Sequence, residues 1–352
     1  MSSFKIINKK EVENKECEYE IAISFSAKTV NEFRQEAISI IGEGIKVDGF
    51  RPGNIPEKVI SERFGEVMIT EEAGRLALEK YYSEIITESK IDAIGTPTVS
   101  ITKVSPDADF ELKITTAIHP TVKLADYKKL ASAEMTKVND VAVLDSEIEE
   151  AMKELQQQVA HTDHHNKPGS TDDHNHGELP LPEINEEFIK KFGDFKTVDE
   201  FKAKIKDSIL TQKNRKEQEK KRILAMDAVI AKSEIKIPRV LIESELSRME
   251  SEMTHQIGQM GIKVEDYLKH INKTKDDLRK GWEDEAKKRA QTQVILNEIA
   301  TKENIKPAET DVNREVDEIM AAYKDSDKLR ATIFVETMLT NEKVWQFLEA
   351  VK

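Results

Sequence analysis

The chain has 352 residues, of which 38% are hydrophobic and 34% charged, and it carries a formal net charge of −13. That length is long for one compact domain and suits two or three, while the acidic surplus excludes a general nucleic-acid binder, whose footprint is basic. A single cysteine, Cys17, excludes an intramolecular disulfide; the N-terminus lacks a signal-peptide apolar run and no segment is long and apolar enough to span a bilayer, so a reducing cytoplasm is the expected compartment and no membrane partner is expected.

The first part reads as α+β. Residues 18–25 alternate, with Tyr19, Ile21, Ile23 and Phe25 on one face of a half-buried strand. Thr29-Val30-Asn31-Glu32 reads as a capping box, and Phe33, Ala37, Ile38 and Ile41 follow at helical spacing until Gly42 and Gly44. Pro56 stands where a second helix begins, with Val59, Ile60 and Phe64 on its apolar face and Gly65 at its end. A longer helix is expected over 67–89. Two alternating stretches follow, one with Val99 and Ile101, the other running from Phe110 to Ile118 and closed by Pro120.

The second part reads as nearly all helical. Asp145 caps a helix striped by Ile148, Met152, Leu155 and Val159, and further helices are expected over 183–192, 197–233, 238–259, 264–270, 275–303, 309–323 and 326–350. Narrow apolar stripes amid dense Glu and Lys suit extended arms better than a thick globule. The fold class expected is therefore an α+β N-terminal domain followed by an extended, mostly α-helical C-terminal domain with arm-like helices.

Residues 161–182 differ in character: almost no apolar side chains, and Pro, Gly, Ser and Asp together, which predicts a flexible linker. It holds five of the eight histidines, His161, His164, His165, His174 and His176. His with carboxylates suits Zn, Ni or Cu, but a flexible linker supplies no fixed geometry or second layer of support. These five are therefore only weak metal candidates, against plain solvation or a linker that gains charge near pH 6. The basic run from Lys213 to Arg222 is interleaved with Glu217 and Glu219 and reads as a solvated helix face. Neither GxxxxGK[ST] nor GxGxxG occurs, nor a nucleophile elbow or HExxH helix, so no cofactor, nucleotide or catalytic residue is expected.

The most informative segment lies between the first two helices: Gly49-Phe50-Arg51-Pro52-Gly53-Asn54-Ile55-Pro56. A Phe between two glycines is poorly placed for a core, and an apolar ring beside a guanidinium suits a mixed protein and phosphate surface. The segment resembles the ribosome-docking signature of trigger factor, Gly-Phe-Arg-x-Gly-x-x-Pro, through Gly49, Phe50, Arg51, Gly53 and Pro56. Ala93-Ile94-Gly95-Thr96-Pro97 resembles that family's turn before the last strands, residues 183–193 the start of its C-terminal domain, and Ile237-Pro238-Arg239-Val240-Leu241-Ile242 the entry to one of its arms.

The resemblance implies a chaperone that works without ATP, docks on the large ribosomal subunit near the exit tunnel, shields nascent or unfolded polypeptides, and pairs as a homodimer when free. It implies a ribosome-binding domain over 1–115, a segment 116–160 belonging to the C-terminal domain, the linker 161–182, and a helical substrate cradle over 183–352. Candidate client-binding residues are Met249, Met253, Ile257, Met260, Ile333 and Met338, since unbranched Met adapts to varied apolar partners.

Two departures stand out. Family members often carry lysines in the docking loop, where this chain has Pro52 and Asn54; each missing exposed charge removes about 1 kcal/mol of contact, which keeps a ribosome-independent holdase or adaptor as the alternative. Members also usually insert an FKBP-like prolyl-isomerase domain of about a hundred residues, an ordinary domain size, where this chain has only the polar linker; no isomerase activity is expected.

Overall fold

The computed structural model describes residues 3–13, 15–44, 55–106, 108–137, 141–165 (backbone only at 164 and 165), 180–323 and 326–351. They form two compact units, one of residues 1–125 with 232–341, the other of residues 126–231 with 342–352.

The first unit opens with β1 (Phe4–Glu11) and β2 (Glu18–Phe25), then α1 (Ala27–Glu32), α2 (Arg34–Gly44) and α3 (Glu57–Glu88), then β3 (Ala93–Lys103) and β4 (Phe110–Ile118). The four strands make an antiparallel sheet in the order β1-β2-β4-β3. Its register places Ile21 opposite Ile114, Ile23 opposite Leu112 and Phe25 opposite Phe110, so the alternating residues of the two central strands share one face. That face packs on Val30, Phe33, Ala73, Ala77, Leu78 and Ile85 of the helices. Each fully buried large side chain contributes about 1.5–3 kcal/mol. Gly74 permits the closest approach, with the Phe110 ring lying where a Cβ would stand.

Three expectations change here. Ser26, not Thr29, caps α1: its Oγ accepts from the Thr29 amide at 3.2 Å, so the helix starts one turn earlier. Residues 93–97 are not a turn but the start of β3, where the register shifts between Ile94 and Thr98; an edge strand tolerates Pro97 at such an irregularity. β1 was not foreseen, because only Phe4 along it is buried and no alternation shows.

The same unit holds β5 (Thr121–Lys123) paired antiparallel with β6 (Glu234–Lys236), then α8 (Arg239–Gln259), α9 (Val264–His270), α10 (Lys275–Lys302), α11 (Glu309–Ala322) and most of α12 (Lys328–Ala350). α8 and α10 pack through Ile242, Leu246 and Met249 against Ala286, Ala290 and Val294, over Val122 and Ile235. Outside this core, Arg279 bridges Glu243 at 2.6 Å and Glu250 at 3.2 Å, and Lys275 reaches Glu250 at 3.1 Å. Thr274 caps α10 in a reciprocal capping box with Asp277.

The second unit contains α4 (Tyr127–Met135), α5 (Asp145–His165), α6 (Glu186–Lys190) and α7 (Val198–Lys232) up to residue 231, with the end of α12. Met152 and Val159 of α5 are buried with Phe188, Ile189 and Phe201, and the Phe192 ring stacks on Phe201 at 5.5 Å. α5 runs through His165, so the first five residues of the stretch read as a linker are helical; Lys191 pairs with Asp163 at 2.8 Å and braces the last turns. Arg222 clasps α12, reaching Glu342 at 2.8 Å and Glu349 at 2.7 Å.

Gly74→Ala is expected to lower stability by about 1–3 kcal/mol through overpacking. Gly281→Ala, at an exposed position of α10 with open space around it, is expected to add up to about 1 kcal/mol. Urea denaturation midpoints check both.

Candidate docking and client-binding surfaces

The motif segment is carried by two helices with a small core of their own. Ile38 and Ile41 of α2 pack with Ile55 and with Ile60 and Ile69 of α3, joined by Val59 and Phe64, apart from the sheet core. Gly49, Phe50, Arg51 and Gly53, with Pro52 and Asn54, lie outside the described residues. Pro56 is exposed at the start of α3 with φ −59° and ψ 142°, the extended geometry of a cap position.

Gly65 does not end the helix; it interrupts it. Its φ of 82° and ψ of 155° lie outside the helical region, and α3 resumes at once on the far side as a kinked element. Arg34 spans this kink. Its Nε donates to Glu57 at 3.0 Å, and its Nη1 and Nη2 donate to the two oxygens of Glu66 at 2.7 and 3.1 Å. Gln35 adds a bond to the other Glu57 oxygen at 3.3 Å. The guanidinium holds the Glu66 carboxyl below its ordinary value of 4.5, chiefly through these hydrogen bonds.

The carboxyls of Glu20, Glu147, Glu234 and Glu250 are also lowered, each first by a hydrogen bond from a lysine: Lys113, Lys213, Lys123 and Lys275 respectively. These are ion-pair signatures, with the charge neutralised by a partner rather than poised for proton transfer.

The candidate client-binding residues divide by burial. Met249 and Ile257 are buried, Met249 in the α8–α10 core, which removes them from any free surface. Met253 is half-buried, while Met260 is 67% exposed at the end of α8. On α12, Ala331, Val335 and Leu339 pack against Val312, Val316 and Ile319 of α11. Around the rest of that helix, Ile333 is 55%, Phe334 61% and Met338 42% exposed. Phe334 is not among the residues singled out from the sequence. Only knowing which face α11 covers separates it from its neighbours.

His161 is exposed on α5, His164 and His165 lie in its last turn, and His174 and His176 lie outside the described residues. Among the described residues no group of three His, Cys, Asp or Glu side chains could hold a metal ion, and no helix is long and apolar enough to cross a membrane.

Comparison with known proteins gives a consistent result. The N-terminal model of the bacterial trigger factor protein matches residues 8–155, and the model of its C-terminus matches residues 197–349. The trigger factor of Bacillus cytotoxicus is 26% identical over 380 residues, covering 86% of this chain and 88% of that one. The trigger factor of Staphylococcus epidermidis is 22% identical over 397 residues, covering 92% of each. Both alignments are longer than the 352 residues of this chain, so the relatives carry residues opposite gaps in it. A solved structure from work on promiscuous substrate recognition in the folding and assembly activities of the trigger factor chaperone superposes with a TM-score of 0.52 at 15% identity, covering 98% of this chain and 100% of that one. At that identity the superposition speaks for the fold.

Met249→Ala is expected to cost about 2–5 kcal/mol, as a core truncation does, and Met338→Ala less than about 0.5 kcal/mol, as an exposed one does. Thermal melts of the two variants separate core from free surface.

Proposed function

The chain belongs to the trigger factor family, a family of chaperones, and on that premise we propose that it docks at the ribosome and shields emerging chains without ATP. Docking is assigned to Gly49, Phe50, Arg51, Gly53 and Pro56, with the large subunit near the exit tunnel as the partner. Phe50 fills an apolar pocket while Arg51 forks onto phosphate or carboxylate. Residues 1–115 form the ribosome-binding part and residues 183–352 the cradle for clients. The protein works in the cytoplasm, and when free it pairs with a second copy.

The observation that carries the client-binding half is α12. A helix hydrophobic on two faces is normally buried on both. Here α11 covers Ala331 and Val335, while Ile333, Phe334 and Met338 around the rest of the helix are left in solvent. Single apolar contacts of this kind bind weakly and release without an energy source, which suits a holdase. Met260, exposed at the end of α8, is a separate candidate.

The absence of isomerase activity is supported by the junction. The two family models leave residues 156–196 between them, too few for an isomerase domain of about a hundred residues. The chain on either side of the polar stretch also packs directly together, with Gln156 donating to the Pro182 carbonyl at 2.6 Å.

Ribosome co-sedimentation at two salt concentrations tests docking. The wild type is expected to bind, more weakly as salt rises, and the Phe50→Ala/Arg51→Ala double variant to lose at least about tenfold, or 1.4 kcal/mol. No wild-type binding at low salt would turn the reading to the free holdase or adaptor, with Pro52 and Asn54 as the cause. For clients, Ile333→Ser/Phe334→Ser/Met338→Ser is expected to abolish suppression of aggregation of a denatured enzyme with little change in melting temperature. Substantial turnover in a proline-peptide isomerisation assay would sink the non-enzymatic reading.

A further inference from the structure

We propose that Arg34 is a positioning residue for the α2–α3 hairpin, locking the angle at which the first two turns of α3 depart from the rest of that helix, and that ribosome docking depends on that angle. The dependence rests on the docking function above; the clasp itself does not.

Three observations converge. First, α3 has a weak point. Gly65 leaves the helical region of φ/ψ, and an added Cβ there would meet nothing within 4 Å. The glycine is needed for its backbone conformation, not for clearance. Among the described residues, no other helix carries an internal non-helical position.

Second, the part of α3 before the kink has no anchor on the sheet. Val59, Ile60 and Phe64 pack in the hairpin's own core, whereas the residues of α3 that meet the sheet core begin at Ala73. An apolar core of a few aliphatic side chains resists separation but specifies angle poorly, because such contacts are non-directional.

Third, one guanidinium supplies the missing direction. Arg34, the first residue of α2, binds Glu57 before the kink and Glu66 just after it. The Glu66 contact uses both oxygens, a planar fork that fixes orientation as well as distance. Its side chain is 25% exposed, so water competes only in part. A lysine could satisfy one carboxylate but could not bridge both with a fixed plane. Ion pairs at the surface contribute little stability, so the clasp acts mainly on geometry.

The test uses the full chain with Cys17→Ser, and spin labels at Lys58→Cys and Glu84→Cys, exposed positions on either side of the kink. A straight helix would separate the two Cα atoms by about 39 Å at 1.5 Å per residue. The unmodified clasp is expected to give one narrow distance shorter than that. Arg34→Ala and Arg34→Lys are expected to broaden the distribution, and Glu66→Gln, nearly isosteric and the safer variant for folding, to do the same, with melting temperatures close to the parent's. In co-sedimentation, Arg34→Ala is expected to lose roughly tenfold in ribosome affinity.

An unchanged distance distribution in both Arg34→Ala and Glu66→Gln overturns the proposal. A broadened distribution with undiminished ribosome binding, while Phe50→Ala/Arg51→Ala does lose binding, also overturns the positioning role. A broadened distribution in a protein whose parent never binds ribosomes supports the clasp and removes the docking function instead.

Discussion

The architecture depends on a three-residue ladder. Val122 pairs with Ile235 at the centre of β5 and β6, flanked by Thr121 with Lys236 and by Lys123 with Glu234, whose side chains also bridge at 2.8 Å. A two-stranded ribbon this short has little stability alone. It persists because Val122 and Ile235 lie against the α8–α10 core, and because the Ala125 amide donates to Ser233 Oγ at 3.0 Å. The pairing joins residues over a hundred positions apart, so everything from residue 126 to 231 leaves and returns at one place. β6 also delivers the chain to Ile237 and Pro238, which fixes where α8 starts. The N-terminal sheet meets this junction through Glu16, which accepts from the Ile237 amide at 3.4 Å, and through Cys17, whose Sγ donates to the Lys236 carbonyl at 3.4 Å.

A second constraint follows from composition. With 6% aromatics and helices whose apolar stripes are narrow, the chain builds several small cores, each serving two or three elements. Two-helix layers cannot cover both faces of a helix that is apolar all round. On α8 and α10 the faces left over are charged, and Arg279, Lys275 and Arg289 pair with Glu243, Glu250 and Glu252. On α12 the face left over is apolar. The difference lies in the residues at the free positions.

Much of this was legible before the structure. The helices of the C-terminal part were bounded to within a few residues, because Pro238 and Pro307 fall just at element starts and the apolar period is regular. The central strands β2 and β4 showed as clean alternation, since one face of each is buried. β1 did not, because Lys9 and Lys10 occupy an edge whose side chains stay in water. β5 and β6 were too short to show any period. The capping error had a local cause: both Ser26 and Thr29 are good caps, and the strand's end decides between them. Burial on α8 was the deeper failure of sequence reasoning. Met249 and Met260 look alike in a stripe, and only α10 separates them. The docking motif rests on resemblance, and four of its five residues lie outside the described ones.

The junction between α5 and α6 shows why an inserted domain is dispensable in this architecture. The chain leaves α5 at His165 and is described again from Pro180. On the two sides of that gap, Met152 and Val159 share a core with Phe188, Ile189 and Phe201, Gln156 bonds to Pro182, and Asp163 pairs with Lys191. These contacts hold the exit and the re-entry together without help from anything placed between them. Domain insertion and removal are tolerated where the two ends of a surface crossing are already close and independently packed. α5 and α7 therefore keep their mutual packing whether the crossing carries a polar tether or a whole domain. The helical scaffold on both sides of the crossing therefore stands on its own contacts.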